Sequence, residues 1–320
     1  MVRTLRRVGP LVIGPGAAGH PVLNALTVDV EDYYQVSAFQ SIVRFETWPA
    51  YESRVERNTH RVLDLFDEHA VKATFFVLGW EAEQRPRLIE EIANRGHEVA
   101  SHGYRHRPVY SMTPAECRDD IIRAKQVLED ITAAPVRGFR AASFSIVDRS
   151  LWCLDILTSL GFAYDSSIFP IRHDRYGIAG ARRFPHVVRR SNGAIVEFPL
   201  STVRLCGQNV PVAGGGYLRF FPAGLIAAGI RRINSMERQP AIVYLHPWEL
   251  DPGQPRLGGP LPRRLRHYAN LQRMEEKLRR LLREFAFGTV STALAACGAL
   301  SPTPRGQWQE AIDDETAAIR

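Results

Sequence analysis

The sequence predicts an α/β protein built on a largely parallel sheet, and three observations carry that prediction. Short apolar runs of β character alternate with helices of ten or more residues. The helices are punctuated by proline or a capping residue at the start and glycine at the end. Residues with chemical potential stand at the ends of the strands, where the loops of α/β sheets gather ligands.

In chain order, residues 25–30 form an apolar β-type run that closes in Asp29, Glu31 and Asp32. Residues 59–69 carry helical spacing through Val62, Leu65 and Phe66, and residues 72–78 are β-rich up to Gly79. Pro86 opens a helix over 87–95 that Gly96 stops, and residues 98–101 form the next strand. Thr113 and Glu116 make a capping box with proline in the first turn, launching an amphipathic helix to about Ile131. A strand over 136–140, a helix from Asp148 to Gly161, and strands over 163–165, 195–199 and 241–246 follow. Residues 270–285 form a helix with Leu271, Met274, Leu278, Leu281 and Leu282 on one face. The expected organisation is a flexible segment over 1–23, a main domain over 24–212, an extension over 213–290 carrying His246, and a mobile tail over 291–320.

With 45% hydrophobic and 23% charged residues, the 320-residue chain is expected to bury a full core rather than to be disordered. The net charge of +7 is concentrated: residues 171–190 hold six arginines against Asp174, and residues 251–285 hold nine Arg/Lys against four acids. Such segments are ordinary solvated faces or grips for a polyanion or a membrane surface. No nucleic-acid module accompanies them, so nucleic acid is not an expected partner. Cys117, Cys153, Cys206 and Cys297 are widely spaced and read as reduced, buried thiols. The apolar stretch 8–19 is broken by Pro10, Gly14, Pro15 and Gly16, too interrupted for a signal segment; a cytoplasmic protein without a membrane span is expected.

His102-Gly-Tyr-Arg-His106 places two imidazoles four residues apart, a spacing that lets both rings reach one metal. A carboxylate cluster ends another strand, and two histidines with one carboxylate leave open positions for water and substrate. Strand alternation sends Asp29 and Glu31 to one side, with Asp32 beyond the strand end. One acid can therefore hold a metal while another serves as base. His246 closes a strongly apolar strand and suits a general acid, and Arg140 can pair with a rim carboxylate.

The ordered set Thr27-Val-Asp29-Val-Glu-Asp32, Ser101-His102-Gly-Tyr-Arg-His106, Phe139-Arg140-Ala-Ala-Ser143, Tyr164-Asp165-Ser-Ser167 and Leu245-His246 resembles the five motifs of the polysaccharide deacetylases (NodB homology, carbohydrate esterase family 4). Residues 214–287, with Tyr244-Leu-His-Pro-Trp-Glu-Leu-Asp251 and Gln254-Pro-Arg256, are similar to the extra segment of a branch associated with PEP-CTERM/exosortase exopolysaccharide loci. The resemblance implies a distorted (β/α) barrel of the NodB-homology type with a C-terminal α/β extension, and a divalent metal, commonly zinc. It implies His102 and His106 as metal ligands, Asp29 as base held by Arg140, and His246 as acid oriented by Asp165. Ser143, Phe144, Leu245 and Trp248 are implied in substrate binding. This first motif lacks the family's two adjacent aspartates; Asp32 is the expected third ligand, with Glu31 as the alternative. The implied reaction is metal-dependent removal of N-acetyl groups from the sugars of an exopolysaccharide or its precursor, free or lipid-linked. The rivals are hydrolysis of a non-sugar amide, as in allantoinase-like members, and a silent protein that binds glycan or lipid carrier.

Overall fold

The computed structural model describes residues 21–300 except Asp174 and Ala213; residues 1–20 of the expected segment over 1–23 and residues 301–320 of the expected tail lie outside the described residues. The strands are β1 (Asn24–Val30), β2 (Thr74–Val77), β3 (Glu98–Ser101), β4 (Gly138–Phe139), β5 (Tyr164–Asp165), β6 (His186–Arg190), β7 (Gly193–Glu197), β8 (Thr202–Leu205), β9 (Gln208–Pro211), β10 (Ile242–Leu245) and β11 (Phe287–Gly288). The helices are α1 (Val55–Glu68), α2 (Gly79–Gln84), α3 (Pro86–Asn94), α4 (Pro114–Thr132), α5 (Cys153–Ser159), α6 (Gly215–Phe220), α7 (Ala223–Met236), α8 (Leu261–Tyr268), α9 (Met274–Glu284) and α10 (Val290–Ala296).

The main sheet runs β10-β1-β2-β3-β4-β5-β7-β6, with β11 also pairing β1. All its pairs are parallel except β6–β7, and β8–β9 form a separate antiparallel hairpin. The path does not close on itself, which is the incomplete closure of a distorted barrel. Because β10 and β11 both add to β1, the extension completes the sheet rather than forming a separate layer.

Alternation sorts the side chains of every central strand. Leu26, Val28 and Val30 of β1, Phe75 and Val77 of β2, and Val243 and Leu245 of β10 enter the large core beneath α1, α3, α4, α7 and α9. Ala25, Phe76, Ile242 and Tyr244 face the other way, into a smaller aromatic-rich cluster. α1 shows why its helix is stable: Val62, Leu63, Leu65 and Phe66 are all buried, each worth about 1.5–3 kcal/mol of transfer free energy. Thr113 and Glu116 do form the capping box of α4. Gly214 is obligatory: its φ is +138°, and an added Cβ would stand 2.0 Å from the Tyr244 carbonyl oxygen, where the chain bridges to β10.

Two expectations need correction. Residues 291–300 are not a loose tail: Ala293, Leu294, Ala299 and Leu300 are buried, and Thr289 caps α10 by accepting from the Thr292 amide. Cys117 and Cys153 are buried with sulfurs 3.8 Å apart, but Cys206 is exposed on the β8–β9 hairpin and Cys297 is half-buried. Among the described residues no helix is long and apolar enough to cross a membrane.

Candidate active site

The carboxyl ends of β1, β3, β4 and β10 converge on one cavity of about 450 Å³, lined at its floor by Asp29, Glu31, His102, His106 and His246. Ligand-type atoms of Glu31, His102 and His106 all lie within 4.8 Å of one another, and all three residues are buried. The His102 Nδ1 lies 2.8 Å from the Arg140 carbonyl oxygen, to which it donates, so its Nε2 keeps a lone pair for the cavity. Glu31 Oε2 stands 2.9 Å from His106 Nε2 without hydrogen-bond alignment; that oxygen and His106 Nδ1 are buried without a hydrogen-bond partner among the described residues. Two imidazoles and a carboxylate with unspent lone pairs fit a divalent transition metal. Burial works to raise the Glu31 pKa, yet His106, His246 and His102 together hold it below the ordinary carboxylate value. Burial and then His106 push His102 down to about 3, so it is the neutral imidazole a metal requires.

Asp32, the expected third ligand, is engaged elsewhere. Its Oδ2 accepts from Ser53 Oγ (2.8 Å) and from the Arg54 and Val55 amides (2.7 and 3.1 Å), and its Oδ1 from the Tyr33 amide (2.9 Å). It thus caps the N-terminus of α1, where amides and the helix dipole favour an anion. The alternative named from the sequence, Glu31, is the acid that joins the two histidines.

Asp29 is held by fully buried Arg140, whose Nη1 donates to Asp29 Oδ1 (2.6 Å) and Thr27 Oγ1 (2.9 Å). Arg140 Nε and Nη2 donate to the Ser166 carbonyl and hydroxyl, both at 3.1 Å, which fixes the guanidinium plane. His246 Nε2 faces Glu31 Oε1 at 3.3 Å and Asp29 Oδ2 at 4.0 Å. Its other ring nitrogen, Nδ1, lies 3.3 Å from Glu249 Oε2, while its ring stacks on Trp248. Burial alone would lower the His246 pKa, but Glu249, then Glu31 and Asp29, raise it to about 9. Glu249 is itself buried and bound by Arg219 Nε at 2.7 Å.

Asp165, expected to orient His246, instead accepts from Ser167 Oγ (2.6 Å) beside Glu197, its register partner on β7. Burial raises both carboxyls, Asp165 to about 6 and Glu197 well above the ordinary value. The carboxylate beside the His246 imidazole is Glu249. Ser143, Phe144 and Trp248 line the cavity as expected, but Leu245 does not: it points into the opposite core, one residue out of phase with Tyr244 and His246. Ser143 and Phe144 both hold left-handed backbone, at φ 56° and 53°.

Sequence reasoning missed Tyr244, Glu249, Arg219 and the segment around Tyr176. Tyr244 and Glu249 carried a signal: one stands two residues before His246 in the strand, the other one helical turn after it. The basic segments divide. Arg183 and Arg190 pair with Glu237 and Asp155, whereas Arg175, Arg263 and Arg266 stand on the cavity lining.

Comparison with known proteins adds the following. Residues 42–164 match the polysaccharide deacetylase family model, and residues 166–295 match a domain of unknown function, DUF3473. A peptidoglycan-N-acetylglucosamine deacetylase of Bacillus cereus is 33% identical over 93 residues, 29% of this chain and 34% of that protein. A chitooligosaccharide deacetylase of Bradyrhizobium is 32% identical over 101 residues, 32% of this chain and 44% of that protein. The chain thus spans under half the length of these curated relatives. Among solved structures, a Mycobacterium smegmatis protein named as a candidate polysaccharide deacetylase superposes with a TM-score of 0.61 at 20% identity, covering 91% of this chain and 96% of its own. An allantoinase superposes at 0.58 with 14% identity, covering 91% and 95%. Both likenesses concern the fold.

Proposed function

We propose, from the match of residues 42–164 to the polysaccharide deacetylase family model, that this chain hydrolyses the N-acetyl groups of N-acetylated sugars. The observation that carries the reading is the convergence, in one cavity, of a buried Asp held by Arg140, a carboxylate–imidazole donor set and a histidine acid.

Glu31, His102 and His106 would hold the divalent cation, zinc in this proposal. When bound, the cation supplies Lewis acidity, polarising a carbonyl and making water acidic enough to be a nucleophile near neutral pH. Asp29 accepts the proton of the attacking water, and Arg140 keeps its carboxylate oriented. The amide N–H at Ser143 donates toward the developing oxyanion, for which its left-handed turn is suited. His246, protonated at neutral pH through Glu249, gives its proton to the departing sugar nitrogen, and acetate leaves.

The same proposal takes the polymer to be an exopolysaccharide or its precursor. The test is acetate release from N-acetylglucosamine oligomers by metal-loaded protein, with chelated protein and Asp29→Asn as controls. Release that vanishes in both controls supports the reading; undiminished release in either refutes the mechanism. An allantoinase-like activity is not favoured, since that likeness extends to the fold alone.

A further inference from the structure

The mouth of the cavity differs in charge from its floor. Among the described residues the two acids on the lining, Asp29 and Glu31, both sit at the floor and are engaged by Arg140 and by histidines. At the mouth stand three exposed guanidinium groups, Arg175 on the segment after β5, and Arg263 and Arg266 on α8. Arg175 and Arg266 reach the neighbourhood of the same Tyr176 hydroxyl from these two segments. None of the three has a carboxylate partner among the described residues; the one side-chain bond among them is from Arg263 Nη1 to Ser41 Oγ, at 3.2 Å. Beside them the imidazole of His173 stacks on Tyr176 with ring centroids 3.8 Å apart, and Tyr176 stacks on Phe169 at 5.9 Å. Stacked rings flanked by free guanidinium groups suit a sugar ring that carries an anionic substituent.

All of these groups belong to residues 166–295, outside the segment that matches the deacetylase model. The floor takes His102 and His106 from the first matched segment, His246 from the second, and Asp29 and Glu31 from residues ahead of both, while the charged mouth is contributed by the second. A neutral homopolymer of N-acetylated sugar offers these three arginines hydroxyl and carbonyl acceptors but no charge partner. A carboxylate or phosphate does, with bidentate geometry available to each guanidinium.

Resting on the deacetylase reading of this same site, we propose that the ligand is an acidic N-acetylated glycan, whose carboxylate or phosphate, next to the acetylated sugar, is held by Arg175, Arg263 and Arg266. The anion has two chemical sources, an acidic sugar within the chain or a phosphate at its reducing end, and the experiment separates them.

Three ligands with one backbone are compared on the metal-loaded full chain: a neutral N-acetylglucosamine tetramer, the same tetramer bearing a 1-phosphate, and a tetramer with one sugar replaced by glucuronate. Affinity is measured by calorimetry and acetate release by kcat/KM, each at low and at high salt. One charged tetramer is expected to exceed the neutral one about tenfold, an advantage that shrinks as salt screens exposed charges. Which of the two gains identifies the source. In the triple variant Arg175→Gln, Arg263→Gln, Arg266→Gln, the loss on the preferred charged tetramer is expected to be about tenfold larger than on the neutral one. A thermal melt confirms that the variant is folded, and the salt series on the unaltered protein reads the same preference without any substitution. Equal, salt-independent behaviour of all three ligands overturns the proposal while leaving the deacetylase reading intact. Charge-selective binding with no acetate released from any of them sustains the anion site and refutes the deacetylase reading instead.

Discussion

Replacing Asp32 and Glu31 separately tests the assignment on which the metal site depends. Asp32→Ala removes four acceptor contacts, to the amides of Tyr33, Arg54 and Val55 and the hydroxyl of Ser53. A lost N-cap alone costs about 0.5–2 kcal/mol. Stranding donors that face a buried carboxylate adds about 1–3 kcal/mol more, because the pocket around Asp32 is closed to water. The expected destabilisation is therefore about 3 kcal/mol, on the order of 4–5 °C in Tm for a chain of this length. Glu31→Gln, by contrast, removes a charge that three imidazoles hold and touches no cap. Its expected effect is a loss of metal affinity of at least about 100-fold with little change in the melt. The melts are run in chelator, so that bound metal does not itself stabilise one protein over another. Metal content is then measured after reloading. The assignment fails if Asp32→Ala binds no metal and melts normally while Glu31→Gln stays fully loaded.

Two further outcomes follow from the same floor. Arg140→Leu leaves Asp29 buried without its cation and is expected to cost about 3–5 kcal/mol in urea denaturation, part of which Asp29→Asn in the same chain recovers; strictly additive losses would show that the pair is not coupled. In metal-free protein the His246 imidazole is expected to titrate near 9 by NMR, and Glu249→Gln to lower that value; an unmoved titration would remove Glu249 from the site. Since the folded pKa lies above the ordinary 6.5, the stability linked to this proton is complete below about 6.5 and is lost as pH rises through about 9.

Much of this protein was legible along the chain. Helix and strand periodicities, the Thr113–Glu116 box and the proline and glycine boundaries placed most of the central elements to within a few residues. α1 starts four residues ahead of its predicted position, because its first turn is capped by Asp32 from another part of the chain rather than by a local signal. The β8–β9 hairpin, α7 and α10 were not foreseen in the absence of comparably clear boundary signals.

At the site, the division follows the range of the interactions. The spacing of His102 and His106, and the position of Asp29 and His246 at strand ends, are local properties set by backbone geometry, so the sequence by itself determined them. It even held the clue to the third donor: alternation along β1 put Glu31 on the side of Asp29, although the pattern of paired aspartates favoured Asp32. Only the tertiary structure sets Glu31 beside the two histidines and draws Asp32 away, because Asp32 meets the start of α1 more than twenty residues downstream. It likewise decided that Glu249 rather than Asp165 stands beside the His246 imidazole, that Leu245 turns to the core, and that Arg175 meets the arginines of α8 across the cavity. Those juxtapositions depend on strand register and loop packing between distant segments, which no local period encodes.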